Sequence, residues 1–258
     1  MHKTSIHSTV RVAVIPLLVA AGLIASPGYA SGDRAGAIAG ASSAGAAVSA
    51  IDELSALDAD EVDSTFDATA WDTAALGAVS RNVFALALES AEHAVDRGEA
   101  DPGTLTVIDF SKPSTAKRMW VYDLRSRELL FEEHVAHGRN SGHNVPTQFS
   151  NQPESNKSSL GLFRAAEGYF GKHGYSLRLD GLERGVNDLA RARAIVIHGA
   201  AYVNAKTAVA QGRLGRSLGC PAVRPEISRR LIDAIKEGGL VFAYYPDPTW
   251  LETSTYLN

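Results

Sequence analysis

The chain has 258 residues, a formal net charge of −4 and a single cysteine. This length fits one domain with appendages. A domain of about 150 residues buries about 70% of the surface that its unfolded chain exposes, so its core needs neither a disulfide nor a metal. The small negative charge gives no electrostatic basis for binding nucleic acid or an anionic membrane, and neither is expected as a partner.

The first 30 residues have the pattern of a signal peptide. Lys3 and Arg11 supply positive charge, residues 12–25 are apolar, and small residues precede a cleavage site after Ala30. The alternative is an uncleaved anchor. Pro16 interrupts the apolar run, however, and the run is shorter than the ~20 residues of a spanning helix. We therefore expect export to the periplasm or cell envelope, with no stable membrane span after cleavage.

Two further segments precede the main domain. Residues 31–70 are rich in Ala, Gly and Ser and then acidic, which predicts a flexible linker. In residues 72–98 apolar side chains recur at every third or fourth position, which predicts a helix that Gly98 and Pro102 end. A free-standing helix is marginal in water, so we expect residues 71–102 to pack on the following domain.

Residues 103–258 form the predicted main domain, in which many short strands alternate with few helices. This pattern predicts a mainly β fold, either a mixed sandwich or a barrel-like domain. A turn-rich loop is expected at residues 145–158 and helices at 202–211 and 225–237, the second of which starts with proline and stops at two glycines. The predicted strands are residues 104–110, 119–123, 129–135, 160–165, 176–179, 194–197 and 240–245.

The only cysteine lies in a glycine-containing stretch, residues 213–223. Gly215 and Gly219 can adopt a positive φ and let backbone approach a ligand closely. We therefore expect Cys220 on an exposed turn, where its thiol would be a nucleophile and the N–H groups of Gly219 and Cys220 would bind an oxyanion. The alternative is an inert, buried cysteine that acts as a small apolar side chain.

A histidine follows the apolar strand predicted at residues 194–197. A cysteine nucleophile attacks as its thiolate, and a free thiol has a pKa of about 8.5, so a base is needed. His198 precedes Cys220 by 22 positions and is the candidate base. The alternative is a histidine that only ends a strand.

Four ordered blocks of sequence carry a family resemblance. They are residues 138–142 (Gly-Arg-Asn-Ser-Gly), 171–176 (Gly-Lys-His-Gly-Tyr-Ser), 193–199 (Arg-Ala-Ile-Val-Ile-His-Gly) and 215–223 (Gly-Arg-Ser-Leu-Gly-Cys-Pro-Ala-Val). Together they resemble a divergent branch of the murein L,D-transpeptidase catalytic domain family, of the YkuD type. The resemblance covers roughly residues 104–245.

The resemblance implies an enzyme that acts on peptidoglycan stem peptides through a thioester on Cys220, with no metal and no organic cofactor. His198 would be the base, and the backbone carbonyl of Gly199 would orient its ring. Two outcomes for the acyl group stay open: transfer to an amine, as in a transpeptidase, or to water, as in an L,D-carboxypeptidase or endopeptidase. The sequence leaves the oligomeric state undetermined.

Two positions depart from the better-known Ser-His-Gly-Cys pattern of the family. Leu218 replaces its histidine, and Ala222 stands where asparagine or arginine is usual. The missing histidine leaves a catalytically silent wall-binding module as a further alternative. We expect Leu218 to pack against the domain, because an apolar Pro-Ala-Val run follows the cysteine.

Several side chains are candidates for the substrate cleft. Arg216 and Arg224 would replace the missing polar contacts by binding a peptide carboxylate. The resemblance places His137 and His173 along the cleft and Ser217 beside the nucleophile. A zinc site is disfavoured, because His134 and His137 would point to opposite faces of a strand.

Overall fold

The computed structural model describes residues 65–258. The predicted signal peptide and residues 31–64 of the predicted linker lie outside the described residues. The linker prediction extends to residue 70, but Phe66 and Ala68 pack against the hydrophobic core. Asp67 caps a short 3-10 helix, Ala68–Ala70, by accepting a hydrogen bond from the N–H of Thr69 at 2.8 Å. The folded part of the chain therefore begins before residue 71.

An eight-stranded mixed sheet forms the centre of the domain. Its strands are β1 (Thr104–Asp109), β2 (Met119–Asp123), β3 (Glu128–Glu133), β4 (Gly161–Gly171), β5 (Gly174–Gly181), β6 (Val196–Gly199), β7 (Ala222–Val223) and β8 (Leu240–Tyr244). They lie in the order β3-β2-β1-β8-β4-β5-β6-β7. The predicted mainly β fold with few helices is confirmed.

Within residues 65–258, four α-helices accompany the sheet. They are α1 (Arg81–Asp96), α2 (Ala205–Gln211), α3 (Pro225–Ile235) and α4 (Pro248–Thr253), the last of which was not predicted. Among residues 65–258, none of the helices combines the length and apolar character that crossing a membrane requires.

Helix α1 is shorter than the 72–98 prediction. A 3-10 helix, Thr73–Leu76, precedes it, and Gly77 with φ of 63° separates the two. The periodic apolar side chains nevertheless form one buried stripe on α1, which packs against β1 and β8. Phe84 on this stripe forms edge-to-face pairs with Trp71 and Tyr122, with ring centroids 5.0 and 4.8 Å apart.

The β4–β5 hairpin is longer than predicted. Residues 166–171 continue β4, and β5 begins at Gly174, so that only Lys172 and His173 remain in the turn. This end of the hairpin extends beyond the core and is largely exposed, so its residues show no regular apolar alternation from which a strand could be predicted. The extension carries His173 toward the next strand.

Strands β6 and β7 bring two distant segments side by side. They are parallel, with His198 opposite Ala222 and Gly199 opposite Val223. Strand β7 has only two residues, too few for an alternation pattern to predict it. Helix α3 buries Ile227, Leu231 and neighbouring apolar residues against β5 and β6. The histidine at the end of β6 therefore lies beside the segment that follows Cys220.

Candidate active site

The turn before Cys220 is held by the Ser217 hydroxyl. Its Oγ accepts a hydrogen bond from the N–H of Gly219 at 3.0 Å and donates one to the carbonyl of Cys220 at 2.6 Å. The Gly219 N–H, one of the two predicted oxyanion donors, therefore already has an acceptor inside the turn. The two hydrogen bonds also give Ser217 a structural role, and the side chain is buried.

Gly219 has to be glycine for two reasons. Its φ is 131°, which side chains rarely tolerate, and an added Cβ would lie 3.0 Å from the backbone oxygen of Lys157. Ser158 fixes the same region, because its Oγ accepts from the N–H of Gly138 and donates to the carbonyl of Gly219, both at 3.0 Å. Three separate segments therefore determine the conformation of the cysteine turn.

The thiol of Cys220 is partly buried. Its Sγ donates a hydrogen bond to the carbonyl of Ala194, with the two atoms 3.6 Å apart. Burial raises the pKa of the thiol, while the N–H of Val196 and the charge of Arg193 act to lower it. Ala194 has a left-handed φ of 53°, a strained conformation for a residue with a Cβ, and this conformation presents its carbonyl to the sulfur.

His198 is a buried imidazole on β6, directly before the last residue of that strand. It is 1% exposed, and its Nδ1 lies 3.0 Å from the backbone oxygen of Gly199. Because a carbonyl oxygen can only accept, Nδ1 carries a proton, and in the neutral form of the ring Nε2 keeps its lone pair. Burial lowers the pKa of His198, which favours this neutral form. Within residues 65–258 no hydrogen bond joins this ring to the sulfur of Cys220, whose hydrogen bond goes to Ala194.

A family comparison agrees with this arrangement. A model of the L,D-transpeptidase catalytic domain family matches residues 76–244, which include the cysteine turn and the histidine strand. The chain belongs to this family. The comparison with curated proteins finds no match.

Individual solved structures resemble the chain more distantly. An L,D-transpeptidase from Mycobacterium smegmatis is 15% identical, with 55% of this chain and 59% of that chain covered and a TM-score of 0.34. The chain thus spans less than two thirds of that relative. An L,D-transpeptidase from Stackebrandtia nassauensis is also 15% identical, with coverage of 63% and 68% and a TM-score of 0.34. One from Xylanimonas cellulosilytica is 15% identical, with coverage of 62% and 77% and a TM-score of 0.32.

Arg193 is a residue of this L,D-transpeptidase domain that the sequence reasoning missed. Its half-buried guanidinium donates to the carbonyls of Ser150 and Lys157, at 2.6 and 2.7 Å, and to the hydroxyl of Ser159 at 2.5 Å. The same cation lies close enough to Cys220 to stabilise a thiolate. Its place at the start of the 193–199 block was the available signal.

Tyr202 is a second residue near the cysteine that was missed. Its ring packs on Gly215, where an added Cβ would lie 2.4 Å from the tyrosine Cβ. Burial, with a contribution from the nearby Cys220, raises the pKa of Tyr202 to about 12, so its hydroxyl stays protonated at neutral pH. The glycine of the predicted motif is therefore needed for packing as well as for turning.

His137 does not fit the predicted role in the substrate cleft, because it is fully buried in the transpeptidase domain. The buried Arg118 donates to its Nδ1 at 2.8 Å, and Nε2 lies 3.4 Å from the carbonyl of Gly142. Burial, followed by the charge of Arg118, lowers the pKa of His137 to about 3. The backbone carbonyl of His137 accepts from the N–H of Ser217 at 2.9 Å, so this histidine supports the cysteine turn from behind.

The two candidate arginines are already engaged. Arg224 binds both carboxylate oxygens of Glu133, at 2.6 and 2.9 Å, which raises the pKa of the arginine. Arg216 donates to the carbonyls of Arg139 and Gly142, at 3.0 and 2.8 Å, and thereby fixes the 139–142 loop. The role of Arg224 in binding a peptide carboxylate stays a prediction, and a peptide would have to compete with Glu133 for its guanidinium.

Leu218 does not pack against the domain as predicted. It is 62% exposed, on the turn directly before Gly219. The Ser217 hydroxyl and the neighbouring segments hold the turn, so the leucine side chain is not needed for its conformation. An exposed apolar side chain thus stands beside the nucleophile position where the better-known pattern has an imidazole.

Proposed function

We propose that the protein is an exported L,D-transpeptidase that cross-links peptidoglycan stem peptides through a thioester on Cys220. The observation that carries the proposal is the parallel pairing of β6 with β7, in which His198 lies opposite Ala222, two residues after the cysteine. A neutral imidazole and a partly buried thiol thus belong to adjacent segments. This is the combination that nucleophilic catalysis by cysteine requires.

The reaction would begin with proton transfer from the thiol to His198. The sulfur would turn from the carbonyl of Ala194 toward Nε2 of His198, which carries no proton in the neutral form of the ring whose Nδ1–H donates to Gly199. Sγ would then attack the carbonyl of the third stem residue and form a C–S bond as the bond to the terminal D-alanine breaks. The imidazolium would return its proton to the leaving amine. A neighbouring stem's amine would next attack the thioester and release the thiol.

Oxyanion stabilisation would come from a smaller set of donors than expected. With the Gly219 N–H bound to Ser217, the N–H of Cys220 is the donor that remains from the predicted pair. The guanidinium of Arg193, whose charge acts to lower the pKa of the thiol, would add positive charge during attack. Removing one such donor typically costs about 3–4 kcal/mol of transition-state stabilisation, so this site has little redundancy.

Purified enzyme and disaccharide tetrapeptide test the proposal directly. Mass spectrometry should detect a cross-linked dimer for wild type, none for Cys220→Ala, and a rate lower by ~10²–10⁴ for His198→Ala. Loss of alanine without a dimer would assign the protein as a carboxypeptidase. A carbapenem should add once to wild type and not to Cys220→Ala. If neither product nor adduct forms, and thiol labelling of Cys220 is insensitive to pH, the chain is a silent wall-binding module.

A further inference from the structure

A second imidazole covers the ring of His198. The rings of His173 and His198 are stacked, with centroids 4.3 Å apart and an angle of 22° between their planes. The two differ sharply in environment: His173 is exposed, and His198 is buried. The outer ring therefore lies between solvent and one face of the inner ring.

The hairpin fixes the position of His173. Ser176 on β5 pairs with His198 on β6, which places the preceding β4–β5 turn over the end of β6. The adjacent Tyr175 donates from its hydroxyl to Asp233 on α3 at 2.8 Å, and the guanidinium of Arg229 lies 5.3 Å from the centre of its ring. The turn is thus tied to a helix as well as to the sheet, so its position does not depend on the backbone pairing alone.

We propose that His173 is a positioning residue for His198, whose ring it shields from water so that the base stays neutral and oriented. This inference rests on the proposed role of His198 as the base. In the better-known family pattern the second histidine directly precedes Gly-Cys, where this chain has the exposed Leu218. Here a different element, the β4–β5 turn, supplies a second imidazole to the site.

The electrostatic surroundings of His198 agree with this role. Burial is the main cause of its lowered pKa, and the charge of His173 when protonated lowers the pKa further. The neighbouring charged groups are already paired: Arg178 with Glu167 at 3.0 Å, Asp180 with Arg191, Arg229 with Asp233 at 3.8 Å, and Arg224 with Glu133 at 2.6 Å. The remaining titratable groups are Tyr175 on β5, Glu226 and Arg230 on α3, and Cys220 in the turn before β7.

Two substitutions separate shielding from charge. His173→Ala uncovers the ring of His198, whereas His173→Phe keeps a stacked ring without a charge. Lys172→Ala changes the neighbouring residue of the same turn and serves as the matched control. Because His173 is exposed, each variant is expected to fold, and circular dichroism with thermal unfolding checks this.

The readouts are the NMR titration of the His198 ring and the pH dependence of Cys220 alkylation by iodoacetamide. His173→Ala should raise the titration midpoint of His198 by about half a unit or more, because hydration favours the charged form. The pH at which the rate of Cys220 alkylation falls on the acid side should shift by the same amount. His173→Phe should retain most of the wild-type midpoint, and Lys172→Ala all of it.

An unchanged His198 midpoint in His173→Ala would overturn the shielding role, and so would an equal shift in His173→Phe. Neither readout requires turnover of peptidoglycan, so the two proposals fail separately. If wild type forms no cross-links but the midpoint shifts, the positioning role stands and the transpeptidase assignment falls. If wild type forms cross-links and the midpoint does not shift in His173→Ala, the transpeptidase assignment stands and the positioning role falls.

Discussion

The buried His137 should make the domain lose stability below neutral pH. Its ring accepts a hydrogen bond from Arg118, and its pKa is about 3 in the folded state against an ordinary 6.5. A histidine with a depressed pKa stabilises the fold above pH 6.5. As the pH falls from 6.5 toward 3 that contribution is lost, because only the unfolded chain takes up the proton. At pH 5 this one site lowers the free energy of unfolding by about 2 kcal/mol, because each pH unit below the pKa of the unfolded chain costs about 1.36 kcal/mol.

Two variants, each compared at two pH values, isolate the contribution of His137 to the free energy of unfolding. His137→Asn keeps an acceptor near Nδ1 for Arg118 but cannot titrate, while His143→Asn removes an exposed histidine and serves as the control. Urea unfolding at pH 7.5 and pH 5.0 would be followed by the fluorescence of the three buried tryptophans. Between pH 7.5 and pH 5.0 the free energy of unfolding of wild type and of His143→Asn should fall by about 2 kcal/mol more than that of His137→Asn. Equal losses in all three proteins would refute a neutral, buried His137.

Three further predictions concern the cysteine turn. Ser217→Ala should destabilise the fold by roughly 1–3 kcal/mol, because the Gly219 N–H loses its acceptor. In Ser217→Thr the retained hydroxyl should preserve most of that stability. If Ser217→Ala lowers kcat and leaves KM unchanged, Ser217 supports the turn and does not bind substrate. Leu218→Ala should change stability by less than about 0.5 kcal/mol in chemical denaturation, since its side chain is exposed; a loss of 2 kcal/mol would mean that it is packed. Ala194→Gly should stabilise by up to about 1 kcal/mol through relief of a left-handed alanine, whereas Ala192→Gly, at a neighbouring position without positive φ, should destabilise.

Local sequence patterns were sufficient to predict the backbone conformation next to Cys220 and His198. Glycine at position 219 predicted a turn with a positive φ beside Cys220, and its φ of 131° agrees. The apolar run before His198 predicted a strand with this histidine at its C-terminal end, and β6 carries His198 directly before its last residue, Gly199. Both inferences concern conformations that neighbouring residues determine, so they required no knowledge of distant contacts.

The tertiary structure alone decided what surrounds these groups. Arg193 binds the carbonyl of Ser150, 43 positions earlier, and the ring of His173 lies on that of His198. The exposure of Leu218 depends in the same way on distant contacts, because Ser158 and His137 hold the turn from other segments. Periodicity and turn propensity describe a few consecutive residues. Burial, pKa and ring contacts depend on which segments the sheet brings together, and that pairing is a property of the whole fold.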